Sequence, residues 1–147
     1  MNLLLIGGAL VAVVSLASQT APQAGASAAL AKAEAQWQQH KPSAYEFSVE
    51  IRCFCSGLLQ RPVSFRVTGA TVLPLEELTP SSQQVYEHYN TIDKLFAAIR
   101  RAIAFGGHKI AVEYDADLGF PSHADLDPGE RVADDELFFK VTGFRKI

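Results

Sequence analysis

Two cysteines separated by one residue, Cys53 and Cys55, are the side chains in this sequence best suited to chemistry. They end a segment in which apolar and polar residues alternate. This period of two predicts a strand from Tyr45 to Cys55 with both sulfurs on its apolar side. Two strand rises would place their Cα atoms roughly 6.5–7 Å apart, at the limit of disulfide geometry. A bond between them therefore requires a bend, which Ser56 and Gly57 would permit.

Four roles for the cysteine pair remain open. They are a disulfide within or between chains, two buried free thiols, a redox-active pair, and metal ligands. The apolar neighbours of the sulfurs favour a structural role, because buried thiols are inert. A disulfide that spans a single residue closes a very small loop, so it would add little stability. It would also be strained and easily reduced.

Acidic residues cluster around two turns in the C-terminal part of the chain. The spacing Asp115-x-Asp117-x-Gly119 is typical of the start of a calcium loop, where oxygen ligands at alternate positions converge on one cation. The third Asp or Asn, the glycine at the sixth position and the closing Glu of such a loop are missing. Asp115 and Asp117 are therefore weak metal candidates. The cluster is better interpreted as solvated turns, which also contain Asp125, Asp127, Asp134, Asp135 and Glu136.

No other residue spacing matches a known catalytic or metal-binding motif. The four histidines show no zinc-ligand spacing, and a zinc site that combines the cysteines with a distant histidine is unsupported. Nucleophile-elbow, dinucleotide-binding and phosphate-loop patterns are absent. With 13 basic and 16 acidic side chains the net charge is −3, which disfavours non-specific nucleic-acid binding. The sequence predicts no cofactor and favours a non-catalytic protein, although an enzyme of unrecognised type stays open.

The N-terminal segment is typical of an export signal. No Asp, Glu, Lys or Arg precedes Lys32, and Leu3 to Ala17 is an almost continuous apolar run. Small residues offer cleavage after Ala17 or after Ala26. We therefore predict a signal peptide and small-residue linker over residues 1–26, and a periplasmic or secreted protein. An uncleaved membrane anchor and a buried helix are the alternatives, but the run is short of the roughly 20 residues that span a bilayer.

Periodicity in residues 27–147 predicts a single α+β domain. Helices are expected from Ser27 to about His40 and after an Asn90 cap, with Asp93 completing a capping box. A polar connection is expected over residues 76–89. The order helix, three strands, helix, three strands suggests one antiparallel sheet of about six strands with both helices on one face. Its strands are expected over residues 45–55, 63–68, 71–75, 109–114, 120–126 and 136–145.

The opposite face of the predicted sheet would be polar and open to solvent. Glu46 and Glu50 are four residues apart on one strand, so roughly 13 Å would separate them, too far for one glycosidase-type site. Pairing with basic side chains across strands is the better interpretation. We predict that this face binds a protein, a peptide or an envelope component. The candidate residues are Glu46, Glu50, Arg52, Arg66, Glu113 and Lys140, with Ser48, Ser64 and Thr142 on the same face.

Several motifs together resemble those of a family of bacterial exported proteins and lipoproteins, domain of unknown function number 6174. The resemblance covers roughly residues 37–144. It rests mainly on Cys53-Phe54-Cys55 and on Tyr114-Asp115 followed by Gly119-Phe120-Pro121. It implies an exported α+β domain and brings no known activity, ligand or functional residue. This chain lacks the lipid-attachment cysteine that some relatives carry.

Three hypotheses for function follow from the sequence. The first, which we adopt, is a non-catalytic binding module that uses the polar sheet face. The second is a thiol–disulfide protein that uses Cys53 and Cys55. The third is a domain stabilised by a bound metal.

Overall fold

The structure is a computed structural model that describes residues 21–129 and 136–147 of the chain. The predicted α+β class is confirmed, and these residues form three helices where two were expected. The elements are α1 (Ala21–His40), β1 (Ala44–Arg52), β2 (Val63–Thr68), β3 (Thr71–Pro74), α2 (Pro80–Tyr86), α3 (Ile92–Ala104), β4 (Lys109–Tyr114), β5 (Pro121–Asp127) and β6 (Leu137–Lys146).

The six strands form one open antiparallel sheet in the order β3-β2-β1-β6-β5-β4. Each group of three consecutive strands is a meander whose neighbours are joined by loops, and α2 and α3 lie in the connection between the two groups. The two meanders meet where β1 pairs with β6. This arrangement places β1 near the middle of the sheet, where alternate side chains are buried as its period of two predicts: Tyr45, Phe47, Val49 and Ile51.

The helices cover one face of the sheet and bury the apolar sides of the central strands. On α1, Trp37 is fully buried and contacts Tyr45 edge to face, with ring centroids 5.5 Å apart. The backbone N–H of Ile92, at the start of α3, donates to the Tyr45 hydroxyl at 3.2 Å. Burial raises the pKa of Tyr45 to about 12, so this hydroxyl stays protonated. The remaining face of the sheet is therefore left for solvent.

The described part of α1 starts at Ala21, so the helix includes six residues before Ser27, the predicted cap. These residues are rich in alanine, which favours helix. The side-chain amide of Gln23 donates to the Ile103 carbonyl oxygen at 2.7 Å, which ties this turn to α3. The expected helix start was therefore wrong. The predicted signal segment up to residue 20 lies outside the described residues.

The connection expected over residues 76–89 contains the short helix α2. Thr79 caps it by accepting a hydrogen bond from the Ser82 backbone N–H at 3.2 Å, and Pro80 occupies the first turn. Tyr86, at its end, is buried and packs against Phe65 with ring centroids 5.9 Å apart. The prediction of an irregular connection was wrong because a helix of two turns shows little periodicity.

The cap of α3 is Thr91, whose hydroxyl accepts from the Lys94 backbone N–H at 3.2 Å, and not the predicted Asn90. The Asn90 side chain instead accepts from the Lys94 ammonium group at 2.8 Å. Asp93 forms no capping box. Its carboxylate accepts from the Lys41 ammonium group at 2.6 Å and so joins α3 to the residue after α1.

Strand β6 contains a bulge at Gly143. Between Ser48 and Glu46 the partner strand advances from Thr142 to Arg145, which is one residue more than regular pairing allows. Gly143 has a φ of +61°, a conformation that glycine adopts without a Cβ clash. The extra residue reverses the alternation, so Phe144 points to the helices and Arg145 to the solvent face.

Candidate functional site

The solvent face of the sheet consists of rows of side chains that run across the strands. The first row aligns Arg66 on β2, Glu46 on β1 and Arg145 on β6. A second row aligns Ser64, Ser48 and Thr142, and the hydroxyls of the two serines are 2.7 Å apart. The next row aligns Glu50 with Lys140 and His123, and Glu113 pairs with His123 at its end.

The first row is an ion cluster centred on Glu46. Its side chain is 7% exposed, and its two carboxylate oxygens accept from different residues. The Nε of Arg66 donates to Oε1 at 2.7 Å, and the Nε of Arg145 donates to Oε2 at 2.7 Å. A second guanidinium nitrogen of each arginine also pairs with the same oxygen. The hydrogen bond from Arg66, and then that from Arg145, lowers the pKa of Glu46, so the cluster carries one negative and two positive charges at neutral pH.

Glu50 and Arg52 interact with each other along β1. The Arg52 guanidinium donates to one Glu50 oxygen from Nε at 3.1 Å and from a terminal nitrogen at 2.8 Å. The same guanidinium lies 4.7 Å from the centre of the Phe138 ring, a cation–π distance. Both partners limit the rotation of Arg52, although its side chain is largely exposed.

The outer rows are held by looser contacts. Glu113 lies 4.0 Å from His123, and the Lys109 ammonium group lies 2.5 Å from the Asp125 carboxylate. Lys140 faces Glu50 and His123 in register and is exposed. The structure thus brings Glu46 and Arg66 together, and Glu50 and Arg52 together. It places Glu113 and Lys140 on the same face without joining them to either group.

The two cysteines form a disulfide just beyond the end of β1, which stops at Arg52 and not at Cys55 as predicted. A bend after Arg52 brings their Cα atoms to 5.2 Å, closer than two strand rises would. Both cysteines are half-buried. Cys53 packs against the apolar core as expected, but Cys55 does not, so the expectation of two enclosed sulfurs was wrong for Cys55. Phe54, between them, projects outward with 77% of its surface exposed.

Comparison with protein families matches residues 29–146 to the model of a family of unknown function, DUF6174. The chain belongs to this family. The match includes α1 from residue 29 onward, both other described helices and all six strands. No curated protein and no solved structure matches the chain.

The acidic turn of this DUF6174 chain is closed by its own backbone. One oxygen of Asp115 accepts from the backbone N–H groups of Asp117 at 3.1 Å and Leu118 at 2.7 Å. Within residues 21–129 and 136–147, no three His, Cys, Asp or Glu side chains lie close enough to hold a metal ion. Asp134 and Asp135 lie outside the described residues. Nor does any described helix have the length and apolar content to cross a membrane.

Sequence reasoning missed the second cation of the Glu46 cluster, Arg145. Regular alternation counted along β6 places position 145 on the helix side of the sheet, and the bulge moves it to the solvent side. Gly143 was the available signal, because an isolated glycine inside a strand pattern suggests a bulge. Phe138 was missed as the partner of Arg52 because an aromatic residue in a strand is first interpreted as core.

Proposed function

We propose that this DUF6174 chain is an exported, non-catalytic binding module that holds a partner on the solvent face of its sheet. The observation that carries the proposal is the pair of guanidinium groups fixed on Glu46. The Arg66 and Arg145 side chains are 47% and 65% exposed, although both are anchored to a carboxylate that is almost completely buried. This is a positively charged surface that is ordered before any partner arrives.

The chemistry of this surface suits a partner with carboxylate groups. A guanidinium has five N–H donors in a planar fork, so an arginine that donates two of them to Glu46 can still donate to a second anion. The cluster has an excess of one positive charge at neutral pH because Glu46 stays ionised. The Ser48 and Ser64 hydroxyls in the adjacent row supply further donors. An acidic peptide segment, or an acidic envelope component, would satisfy these groups.

Anchoring of the arginines also lowers the entropic loss on binding. Immobilising a free, rotamer-rich side chain at an interface opposes association by about 0.5–1.5 kcal/mol. Here β1 lies between β2 and β6, and Glu46 already restricts both arginines. Most of that loss therefore occurs when the domain folds.

The binding proposal predicts that neutralising either arginine weakens binding of an acidic peptide. We expect Arg66→Gln and Arg145→Gln each to raise the Kd for a hexaglutamate peptide roughly tenfold, because each removes a charge-assisted hydrogen bond. Isothermal titration at low salt measures the Kd, and backbone amide shifts of β1, β2 and β6 locate the peptide. Inorganic phosphate in a parallel titration separates a preference for carboxylates from binding of any anion.

Arg100→Gln is the matched control. Arg100 also pairs with a glutamate, Glu34, but it connects α3 to α1 on the opposite side of the sheet. The Arg100→Gln variant should therefore keep the Kd of the original chain for the hexaglutamate peptide. Equal affinities for the original chain, Arg66→Gln and Arg145→Gln, in variants that keep the circular dichroism spectrum of the original chain, would reject the proposal.

The export part of the proposal predicts where the mature chain begins. Cleavage after Ala26 would remove the first turns of α1, including the hydrogen bond from Gln23 to α3 and the contact of Ala26 with the core. We therefore expect cleavage after Ala17 and a mature N-terminus at Ser18. Intact-mass measurement of the protein recovered from the periplasm or medium of an expressing bacterium tests this. Recovery of only the full-length chain from the cytoplasm would contradict it.

A further inference from the structure

The disulfide lies where the surface grooves of the domain converge. Four cavities in the described part of the chain, of about 240, 510, 370 and 400 Å³, all include Cys53 or Cys55 in their walls. Both cysteines line the first two. From this convergence we propose that Cys53–Cys55 is a thiol–disulfide exchange site for a cysteine-containing peptide with apolar residues beside its thiols. This inference is independent of the sheet-face function.

The bond can open without disturbing the fold. It spans one residue, so it constrains the unfolded chain very little. It also lies beyond the last residue of β1, whose pairing with β2 and β6 ends at or before Arg52. The core beneath it consists of side chains from the helices and the central strands. Reduction should therefore change the bend at residues 53–55 and leave the sheet in place.

The two sulfurs differ in their surroundings. Cys53 packs against the apolar core, whereas Cys55, after the bend, lies outside that cluster. An incoming thiolate therefore has the easier approach to the Sγ of Cys55, with Cys53 as the leaving group. The 240 Å³ cavity that both cysteines line also has one basic and one acidic side chain in its wall, Arg101 and Glu136. The assignment of Cys53 as the leaving group therefore rests on the difference in packing between the two cysteines.

Exchange then proceeds in two balanced steps. A peptide thiolate attacks the Sγ of Cys55, the Cys53–Cys55 bond breaks, and Cys53 leaves as a thiolate. A second thiolate of the same peptide attacks the peptide sulfur of this mixed disulfide, and Cys55 leaves. The peptide dithiol loses two electrons and becomes a disulfide. The protein disulfide gains these electrons, and both sulfurs take up the protons that the peptide thiols released.

Two exposed aromatic rings define the substrate class. Phe54 and Phe105 are 77% and 79% exposed, and each lines a cavity that also contains a cysteine. A single exposed ring is ordinary on a protein surface, but apolar side chains that line one groove offer a bound peptide a shared contact surface. The 240 Å³ cavity adds the apolar side chains of Leu126 and Leu137. A peptide with Leu or Phe next to its cysteines would cover these surfaces.

The test starts from the full chain in its oxidised form and a synthetic peptide, Leu-Cys-Gly-Phe-Cys-Leu. Alkylation and mass spectrometry should show one peptide disulfide formed for each protein disulfide reduced, while circular dichroism shows the protein still folded. Cys53→Ser, which leaves Cys55 free, should form a mixed disulfide with the peptide's oxidised form roughly tenfold faster than Cys55→Ser. Phe54→Ala and Phe105→Ala should slow exchange with the peptide and leave exchange with glutathione unchanged.

Three results would overturn the proposal. One is reduction of the disulfide only in denaturant, since a site of exchange must react in the folded protein. Another is equal rates for the two serine variants, which would reject the assignment of Cys55 as the attacked sulfur. The last is reaction with glutathione as fast as with the peptide, which would remove the apolar peptide as the substrate class.

Discussion

Replacing Trp37 with alanine is expected to lower the free energy of unfolding by about 3–5 kcal/mol, the range for deletion of a large buried aromatic side chain. The Trp37 ring is completely buried between α1 and the sheet. It meets the rings of Phe120 and Phe144 edge to face, with centroids 6.2 and 5.9 Å away, in addition to Tyr45. Removing it leaves a cavity that rings on β1, on β6 and in the turn before β5 cannot all move to fill.

Urea unfolding followed by far-UV circular dichroism measures this loss. Gln39→Ala is the matched control, because it removes an exposed side chain from the same helix and should change the free energy of unfolding by less than about 0.5 kcal/mol. Trp37→Phe should lower the free energy of unfolding by less than Trp37→Ala does, because phenylalanine keeps part of the aromatic contact. A loss below about 1 kcal/mol for Trp37→Ala would mean that this ring does not anchor α1.

Replacing Gly143 with alanine is expected to lower the free energy of unfolding by about 1–3 kcal/mol, the usual penalty for a side chain in a left-handed backbone conformation. Space is not the obstacle, because a Cβ here would approach the Ser48 hydroxyl oxygen only to 3.8 Å. The penalty comes from the φ of +61°. If the bulge is lost, position 145 returns to the helix side and its arginine leaves Glu46.

Gly25→Ala is the control, because its expected effect on the free energy of unfolding has the opposite sign. Gly25 lies in α1 with nothing within 4 Å of its added Cβ, so the same substitution should stabilise the chain by up to about 1 kcal/mol. Gly143→Asn should recover part of the loss, because asparagine tolerates the left-handed region. Amide hydrogen exchange at residues 144 and 145 reports on the bulge itself. Unchanged exchange and unchanged stability in Gly143→Ala would contradict its assigned role.

The sheet was the most predictable part of this molecule. Along β1 the apolar residues alternate without interruption from Tyr45 to Ile51, so counting from Tyr45 was enough to place Glu46, Glu50 and Arg52 on one face. Opposite charges on neighbouring strands predicted that the glutamates pair with a basic residue among Arg52, Arg66 and Lys140, and the structure pairs Glu46 with Arg66. Both inferences depend only on the period of two, which the sequence displays directly.

Features that interrupt a period were the ones that counting along the sequence missed. After Thr142 the bulge exchanges the faces to which odd-numbered and even-numbered residues of β6 point, so counting could not assign Arg145 to the polar face. The bend after Arg52 likewise breaks the register that placed both sulfurs inward. A helix as short as α2 depends on one buried tyrosine and one cap. Its seven residues are too few to show a helical repeat of apolar positions.

The pairing of β1 with β6 has a consequence for when the domain can fold. Glu46 and Arg145 are separated by 99 residues, so the middle of the sheet stays incomplete until almost the whole chain has been synthesised. Contacts between segments so distant in sequence slow folding, because a large loop must close before they form. Until β6 arrives, β1 lacks one of its two neighbouring strands and the sheet is incomplete. Under the proposed export, this delay would keep the complete domain from forming before the chain passes through a membrane channel.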